Sequence, residues 1–301
     1  MGLFQQKVTM LIAIDVSSIL WTALKAGKDR EGSLDENGNH CNSAGYGYEN
    51  AINTVVRVLH ELDSVPSELI LVEEGFNSKS PRLNIDQGYK ATRGKKSKLE
   101  YENFNKLKQM FLSALKGVGA LVIRQDNAEG DDVLGWLAKH TEREMVIMTN
   151  DGDLTVLNGG LVTVRINGVM GANKYGDWPH KYVTLYKAMV GDSSDNISGI
   201  RGFGPKAWEQ IVRRFGTAGM DVLVQCALAG SVESLREDAQ KDDFVKRIYE
   251  GGADFIRSYK LARLYPEWVD TMRDALVFEP GMAVESSDER LRRWSAVRKL
   301  I

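Results

Sequence analysis

Cysteine is nearly absent from this 301-residue chain: Cys41 and Cys226 lie far apart and form no metal or redox spacing. Neither a disulfide framework nor a Cys-x-x-Cys centre is expected, and two reduced thiols in a cytoplasmic protein is the plain reading. Long apolar runs are also missing. None approaches the ~18 residues that a membrane helix needs. The run Val8–Ile14 is too short for a signal-peptide core and no cleavage site follows it, so export and membrane insertion are not expected. The four histidines, His40, His60, His140 and His180, lack zinc spacing. There is no Gly-Lys-Ser/Thr phosphate loop, no internal repeat and no low-complexity segment. Net charge is small, at −2, which alone gives no reason to expect a polyanionic partner.

What is present is enough apolar residue, 43%, for a sizeable core, with 27% charged residues arranged unevenly. Lys90, Arg93, Lys95, Lys96 and Lys98 fall within one short segment, and Arg290, Arg292, Arg293, Arg298 and Lys299 crowd the C-terminus. The acids cluster elsewhere. Local basic surfaces beside a local acidic pit can bind polyanions and metal cations together.

Apolar spacing predicts short strands at Val8–Ile14, Leu69–Val72, Leu121–Arg124 and Met145–Thr149. Helices are predicted around Tyr48–Leu62, Phe104–Leu115, Val133–Leu137 and Trp208–Phe215, and a long polar loop over Gly27–Gly47. Strands alternating with helices imply an α/β fold with a parallel sheet between helical layers. After about Lys181 strands are expected to disappear. Two lobes are therefore expected: an α/β lobe over 1–180 and a mainly helical lobe over 181–301.

Four acidic groups follow the strands: Asp15; Glu73 and Glu74; Glu129, Asp131 and Asp132; Asp151 and Asp153. Taken singly, each has an ordinary explanation as a cap, a turn or a helix-dipole partner worth ~0.3–1 kcal/mol. Together they differ. Parallel α/β sheets bind ligands beyond the carboxyl ends of their strands, so these carboxylates would converge. They would repel and raise one another's pKa, which bound hard cations such as Mg²⁺ or Mn²⁺ would relieve.

A fifth group, Asp192 and Asp195, lies beyond the sheet, followed by Gly199-Ile-Arg-Gly202-Phe-Gly204-Pro205-Lys206. Pro205 suits the first position of a helix, whose free backbone N–H groups would then bind an anion with help from Lys206. Gly202-x-Gly204-x-x-Ala207 matches a dinucleotide fingerprint, but no strand precedes it. A phosphatase with Asp15 as nucleophile would want a second aspartate two residues on, where Ser17 stands.

Over about Leu11–Pro266 the chain resembles the flap endonuclease/5′-nuclease superfamily, in pattern nearest the bacteriophage 5′-3′ exonucleases and the 5′-nuclease domain of bacterial DNA polymerase I. Asp15 in Ile-Asp-Val-Ser-Ser, Glu129-Gly-Asp131-Asp132, Thr149-Asn-Asp151-Gly-Asp153 and Gly191-Asp192-Ser-Ser-Asp195-Asn196 carry the resemblance. It implies a PIN-like sheet and a helical arch near 83–110. It also implies a helix–three-turn–helix that grips duplex backbone through Gly202, Gly204 and Lys206, with a K⁺ ion on its carbonyls. Asp15, Glu74, Glu129, Asp131, Asp132, Asp151, Asp153, Asp192 and Asp195 would then hold two Mg²⁺ ions, with Mn²⁺ as a substitute. Glu74 replaces an aspartate usual in the family, and Glu73 is the other candidate.

Gly88-Tyr89-Lys90-Ala-Thr-Arg93 resembles the base of the arch. There Tyr89 would stack on a base, Lys90 and Arg93 would contact the scissile phosphate, and Lys95 and Lys96 would line the single strand. A solvated basic loop and simple packing of Tyr89 are the ordinary alternatives. The activity implied is metal-dependent cleavage of DNA with 5′ flaps, 5′ ends or single-strand/duplex junctions, by a stand-alone monomer of a phage or bacterial replication or repair system. In it Asp15, Asp131, Asp151, Lys90 and Arg93 are the catalytic set. The alternatives are a relative that removes RNA primers from RNA–DNA hybrids and a DNA-structure-binding protein without catalysis.

Overall fold

The computed structural model describes residues 10–30, 43–94, 96–172, 175–264, 276–279 and 281. Strand β1 (Leu11–Asp15) runs directly into helix α1 (Val16–Arg30), and α2 (Ser43–Glu61) packs against it. Then come β2 (Leu69–Val72), a short α3 (Ser80–Ile85), α4 (Lys98–Gly117), β3 (Leu121–Gln125), α5 (Gly130–His140) and β4 (Met145–Thr149). A hairpin of β5 (Val162–Ile166) and β6 (Val169–Met170) leads to α6 (Val183–Val190). Next come α7 (Pro205–Ala229), broken by the non-helical residue Gly216, then α8 (Arg236–Ala239), α9 (Asp243–Glu250), α10 (Gly252–Ala262) and β7 (Leu276–Glu279).

The strands form one sheet in the order β6-β5-β4-β1-β2-β3-β7. The five inner strands are parallel, as the alternation of elements implies, while the two edge strands run antiparallel. Two expectations need correction. Strands do not end at Lys181: β7 pairs with β3 and closes its edge, tied by Glu279 to Lys116 and Arg124 at 2.7 Å each. Nor is Gly27–Gly47 loop throughout, because α1 continues to Arg30 and α2 begins at Ser43.

Strand alternation divides the core. Ile12, Ile14, Leu69 and Leu71 face α1, α2 and α4, whereas Ala13 and Val72 face α5. A third cluster, built on Tyr182, Leu185, Trp208, Ile211 and Phe255, packs α6, α7, α9 and α10 together. A small fourth cluster of Tyr89, Ile197 and Leu261 fastens the segment after α3 to the C-terminal helices.

Candidate metal centre

The same alternation decides which acids face one another. Asp15 continues the Ala13 side of β1. Beyond β2 the backbone stays paired, with Glu73 N donating to Ile123 O at 2.9 Å. Glu73 therefore falls on the Leu71 side and pairs with Lys108 of α4 at 3.1 Å, while Glu74 falls on the Asp15 side. The electrostatic neighbours agree: Glu74 acts on Asp15, and Glu129 acts on Glu74.

Asp15 is buried. Its Oδ1 accepts from Ser18 N at 3.0 Å and its Oδ2 from Thr149 Oγ1 at 2.8 Å. Thr149 lies on the neighbouring strand, where β4 pairs with β1. Burial, then Asp151 and Glu74, push the Asp15 carboxyl up to about 6 despite those two hydrogen bonds. Burial raises Asp131 well above the carboxylate range, followed by Asp15 and Asp151, and it raises Asp151 too, followed by Asp153. Glu74 stays accessible to solvent, yet the cleft walls and then Glu129 raise it. Four carboxyls are thus held above their ordinary range at one sheet edge. That is what cations would relieve.

The cations the chain itself supplies lie opposite. Lys90 is ion-paired with Glu129 and sits 4.0 Å from Asp195, and Arg93 Nη2 meets Asp195 Oδ1 at 2.5 Å. Lys187 of α6 is ion-paired with Asp153 and reaches Asp192 at 2.5 Å, while the Tyr175 hydroxyl also donates to Asp153. Burial disfavours the Asp192 carboxylate, but Lys187 and the Ser194 hydrogen bonds together outweigh it and bring the pKa down to about 2. Carboxylate oxygens of Asp153, Asp192 and Asp195 come within 4.8 Å of one another, beside a cleft of about 320 Å³.

Asp192 and Asp195 are aimed from a tight turn. Asp192 and Ile197 exchange backbone hydrogen bonds at 2.7 and 2.8 Å, and Asp192 Oδ1 accepts from Ser194 N at 2.8 Å. At its close Gly199 has φ 65, and a Cβ there would lie 2.5 Å from Gly191 N. The turn is stitched to the Gly88–Lys90 segment: Lys90 N donates to Asp195 O at 2.8 Å and Asn196 Nδ2 to Gly88 O at 2.7 Å. Lys90 itself takes φ 56, a left-handed conformation uncommon for a side-chain-bearing residue and found disproportionately at functional sites.

Two expected site residues are placed otherwise. Asp132 is fully buried, and Arg82 grips both its oxygens at 2.6 Å. Tyr89 is only 4% exposed and donates to Glu129 Oε2 at 2.8 Å, so its ring offers no face to a base and instead positions Glu129. Burial pushes Glu129 up, but Arg82, Lys90 and the Tyr89 hydroxyl together outweigh it and lower its pKa. Lys96 is exposed, with its ammonium 5.3 Å from the Trp21 ring centroid. Lys95 and the basic C-terminal residues lie outside the described residues. Gly202 (φ 77) and Gly204 lead into α7, where Pro205 takes the first position and Lys206 is exposed.

The sequence assigns no site role to Arg82, Lys187, Tyr175 or Thr149, although Thr149 opens one of the acidic motifs and Lys187 leads into another. Arg82, in the short Ser-Pro-Arg-Leu-Asn-Ile helix, is marked only by its burial beside carboxylates. A signal existed for Lys187: a lysine on the inner face of a helix that ends just before Asp192 needs a buried partner.

The fold and the site together define an α/β protein with a carboxylate-lined cleft at the carboxyl edge of its sheet, bordered by the helices that follow it. The chain belongs to the family described as 5′-3′ exonuclease, N-terminal resolvase-like domain, which matches residues 10–178. It is 29% identical to a 5′-3′ exonuclease of Mycoplasma pneumoniae over 54% of this chain and 62% of that one. It is 28% identical to DNA polymerase I of Bacillus caldotenax over 69% of this chain, which is only 24% of the polymerase. The chain thus spans less than two thirds of these relatives. Its fold is similar to that of bacteriophage T5 5′-exonuclease, solved with divalent zinc ions bound, with a TM-score of 0.61 over 96% of this chain and 98% of that one at 17% identity.

Proposed function

We propose that this chain is a structure-specific 5′-nuclease, a 5′-3′ exonuclease and flap endonuclease that hydrolyses DNA phosphodiesters in replication or repair. The observation that carries this reading is the meeting of carboxylates from four strand ends with Asp192 and Asp195 at one cleft, faced by Lys90 and Arg93.

The donor set fits hard divalent cations: it is all carboxylate, and three of its members lie close enough together to share one ion. Asp15, Glu74, Asp131 and Asp151 would hold one Mg²⁺, and Asp153, Asp192 and Asp195 a second, with Mn²⁺ able to replace either. When bound, such ions lower the pKa of water and offset charge on the phosphate and the leaving oxygen. Thr149 and Ser18 orient Asp15 for this role, and Arg82, Tyr89 and Lys90 hold Glu129. Lys90 and Arg93 bring positive charge to a phosphate that so acidic a cleft would otherwise repel. Their partners Glu129 and Asp195 hold them in place beforehand.

Segment α6–turn–α7 would serve as the helix–three-turn–helix. The positive end of α7 and exposed Lys206 would face a duplex phosphate, and a K⁺ ion would sit on carbonyls of the turn before it. The segment from α3 into α4 would form the base of the arch. Cleavage of a 5′-flap DNA compared with an RNA–DNA hybrid of the same sequence tests the reading. Incision near the flap junction is expected, and cleavage of the hybrid alone would move the chain to primer removal.

A further inference from the structure

Phe76 is the most exposed large apolar side chain among the described residues, with 73% of its surface open to solvent. A single exposed apolar side chain is ordinary on a protein surface. Phe76 is distinguished by the fixity of the backbone beneath it and by its position. Gly75 N donates to Ala128 O at 3.2 Å, Phe76 N to Asp126 Oδ1 at 3.1 Å, and Asn127 N to Phe76 O at 2.7 Å. At Gly75 an added Cβ would lie 1.7 Å from the Gln125 carbonyl oxygen, so the two loops touch backbone to backbone. Asn77 then turns the chain at φ 53, and Ser80 N closes the turn on Asn77 O at 2.8 Å.

These two loops carry Glu74 and Glu129. The loop that bears Phe76 starts at Glu74, and the Lys79 ammonium three residues beyond Phe76 lies close enough to act on that carboxylate. Lys79 is exposed. The rim of the acidic cleft therefore presents an uncovered phenyl ring and an ammonium on a pre-set backbone. This is the pairing that single-stranded nucleic acid uses, with bases on an aromatic face and phosphates on a cation. An aromatic ring already held in place binds without the ordering cost of a mobile loop.

We propose that Phe76 is a stacking platform for a nucleobase of the strand entering the acidic cleft, with Lys79 beside it on the adjoining phosphate. The inference rests on the nuclease reading above and adds to it a residue that sets how the strand is positioned.

The test uses the full chain and flap DNA carrying 2-aminopurine at successive positions in the flap strand, with Ca²⁺ in place of Mg²⁺, alongside single-turnover cleavage in Mg²⁺. Wild type quenches the fluorophore at one or two positions. Phe76→Ala loses that quench and binds the flap about tenfold more weakly, which is about 1.4 kcal/mol at 25 °C. Phe76→Trp retains both, and Phe76→Leu, which keeps apolar bulk without a ring, behaves like the alanine variant. Thermal unfolding of all three stays at the wild-type value because the side chain is uncovered. Unchanged quench and affinity in Phe76→Ala would overturn the proposal, as would a leucine variant equal to wild type. The fluorescence readout needs no cleavage, so a chain that binds through Phe76 but never cuts would sink the nuclease reading and not this one.

Discussion

Replacing Arg82 with methionine perturbs the structure where its consequences are easiest to work out. Among the described residues the guanidinium makes five hydrogen bonds: two to Asp132 at 2.6 Å, one to Glu129 at 2.9 Å, and one each to the carbonyls of Leu261 at 2.9 Å and Arg263 at 2.8 Å. It is almost wholly buried, so solvent does not screen these contacts. Methionine leaves Asp132 as a buried carboxylate without its counter-charge, and breaking such a pair costs about 3–5 kcal/mol. For a protein of this size that lowers Tm by roughly 6–20 °C, at about 2–4 °C per kcal/mol. Glu129 suffers less because Lys90 and Tyr89 still hold it. The double variant Arg82→Met/Asp132→Leu removes both charges and is expected to recover most of the loss, to within about 1–2 kcal/mol of wild type, since apolar replacement of a buried pair is often neutral. Urea unfolding followed by tryptophan fluorescence measures all three proteins. A single variant within about 1 kcal/mol of wild type, or a double variant less stable than the single, would refute Arg82 as the counter-charge of Asp132.

Lys187→Met removes the charge that faces Asp153 and Asp192, so Tm without metal should fall, and millimolar Mg²⁺ should restore more of it than Mg²⁺ adds to wild type; equal increments would contradict the electrostatic account. The Asp15 carboxyl, at about 6 against an ordinary 3.8, favours the metal-free fold below the lower value and loses that contribution as pH rises through the higher one. Protons and cations compete for it, so the Mg²⁺ concentration for half-activation should rise as pH falls through 6, and an activation curve flat between pH 5.5 and 7.5 would contradict this. Lys90→Ala should slow the chemical step by roughly 100-fold or more with a modest change in DNA affinity, as for loss of a preorganised charge, and an unchanged single-turnover rate would remove Lys90 from the mechanism.

The strands that carry acids were legible because each is a short apolar run ended by carboxylates, and the parallel sheet followed from their alternation with helices. The β5–β6 hairpin was missed although Asn167-Gly168 marks its turn, because two residues of β6 are too few to show a period. Strand β7 has four residues far from its partner in sequence and is defined by pairing with β3, which no local pattern encodes. In the site, strand parity could have separated Glu73 from Glu74, since alternation from Leu69 puts Glu73 with Leu71. The burial of Tyr89 and the pairing of Asp132 with Arg82 were not legible: Leu261 of α10 packs on Tyr89 and accepts from Arg82, a contact nearly 180 residues away along the chain.

The central claim is that the acidic cleft is a divalent-metal nuclease centre. Its most direct test is single-turnover cleavage of a 5′-labelled flap DNA by the full chain, titrated with Mg²⁺, with EDTA and the Asp151→Asn variant alongside. The account predicts incision near the junction that rises with Mg²⁺, stops in EDTA and drops by orders of magnitude in the variant. Cleavage that survives EDTA, or a variant as active as wild type, would contradict it.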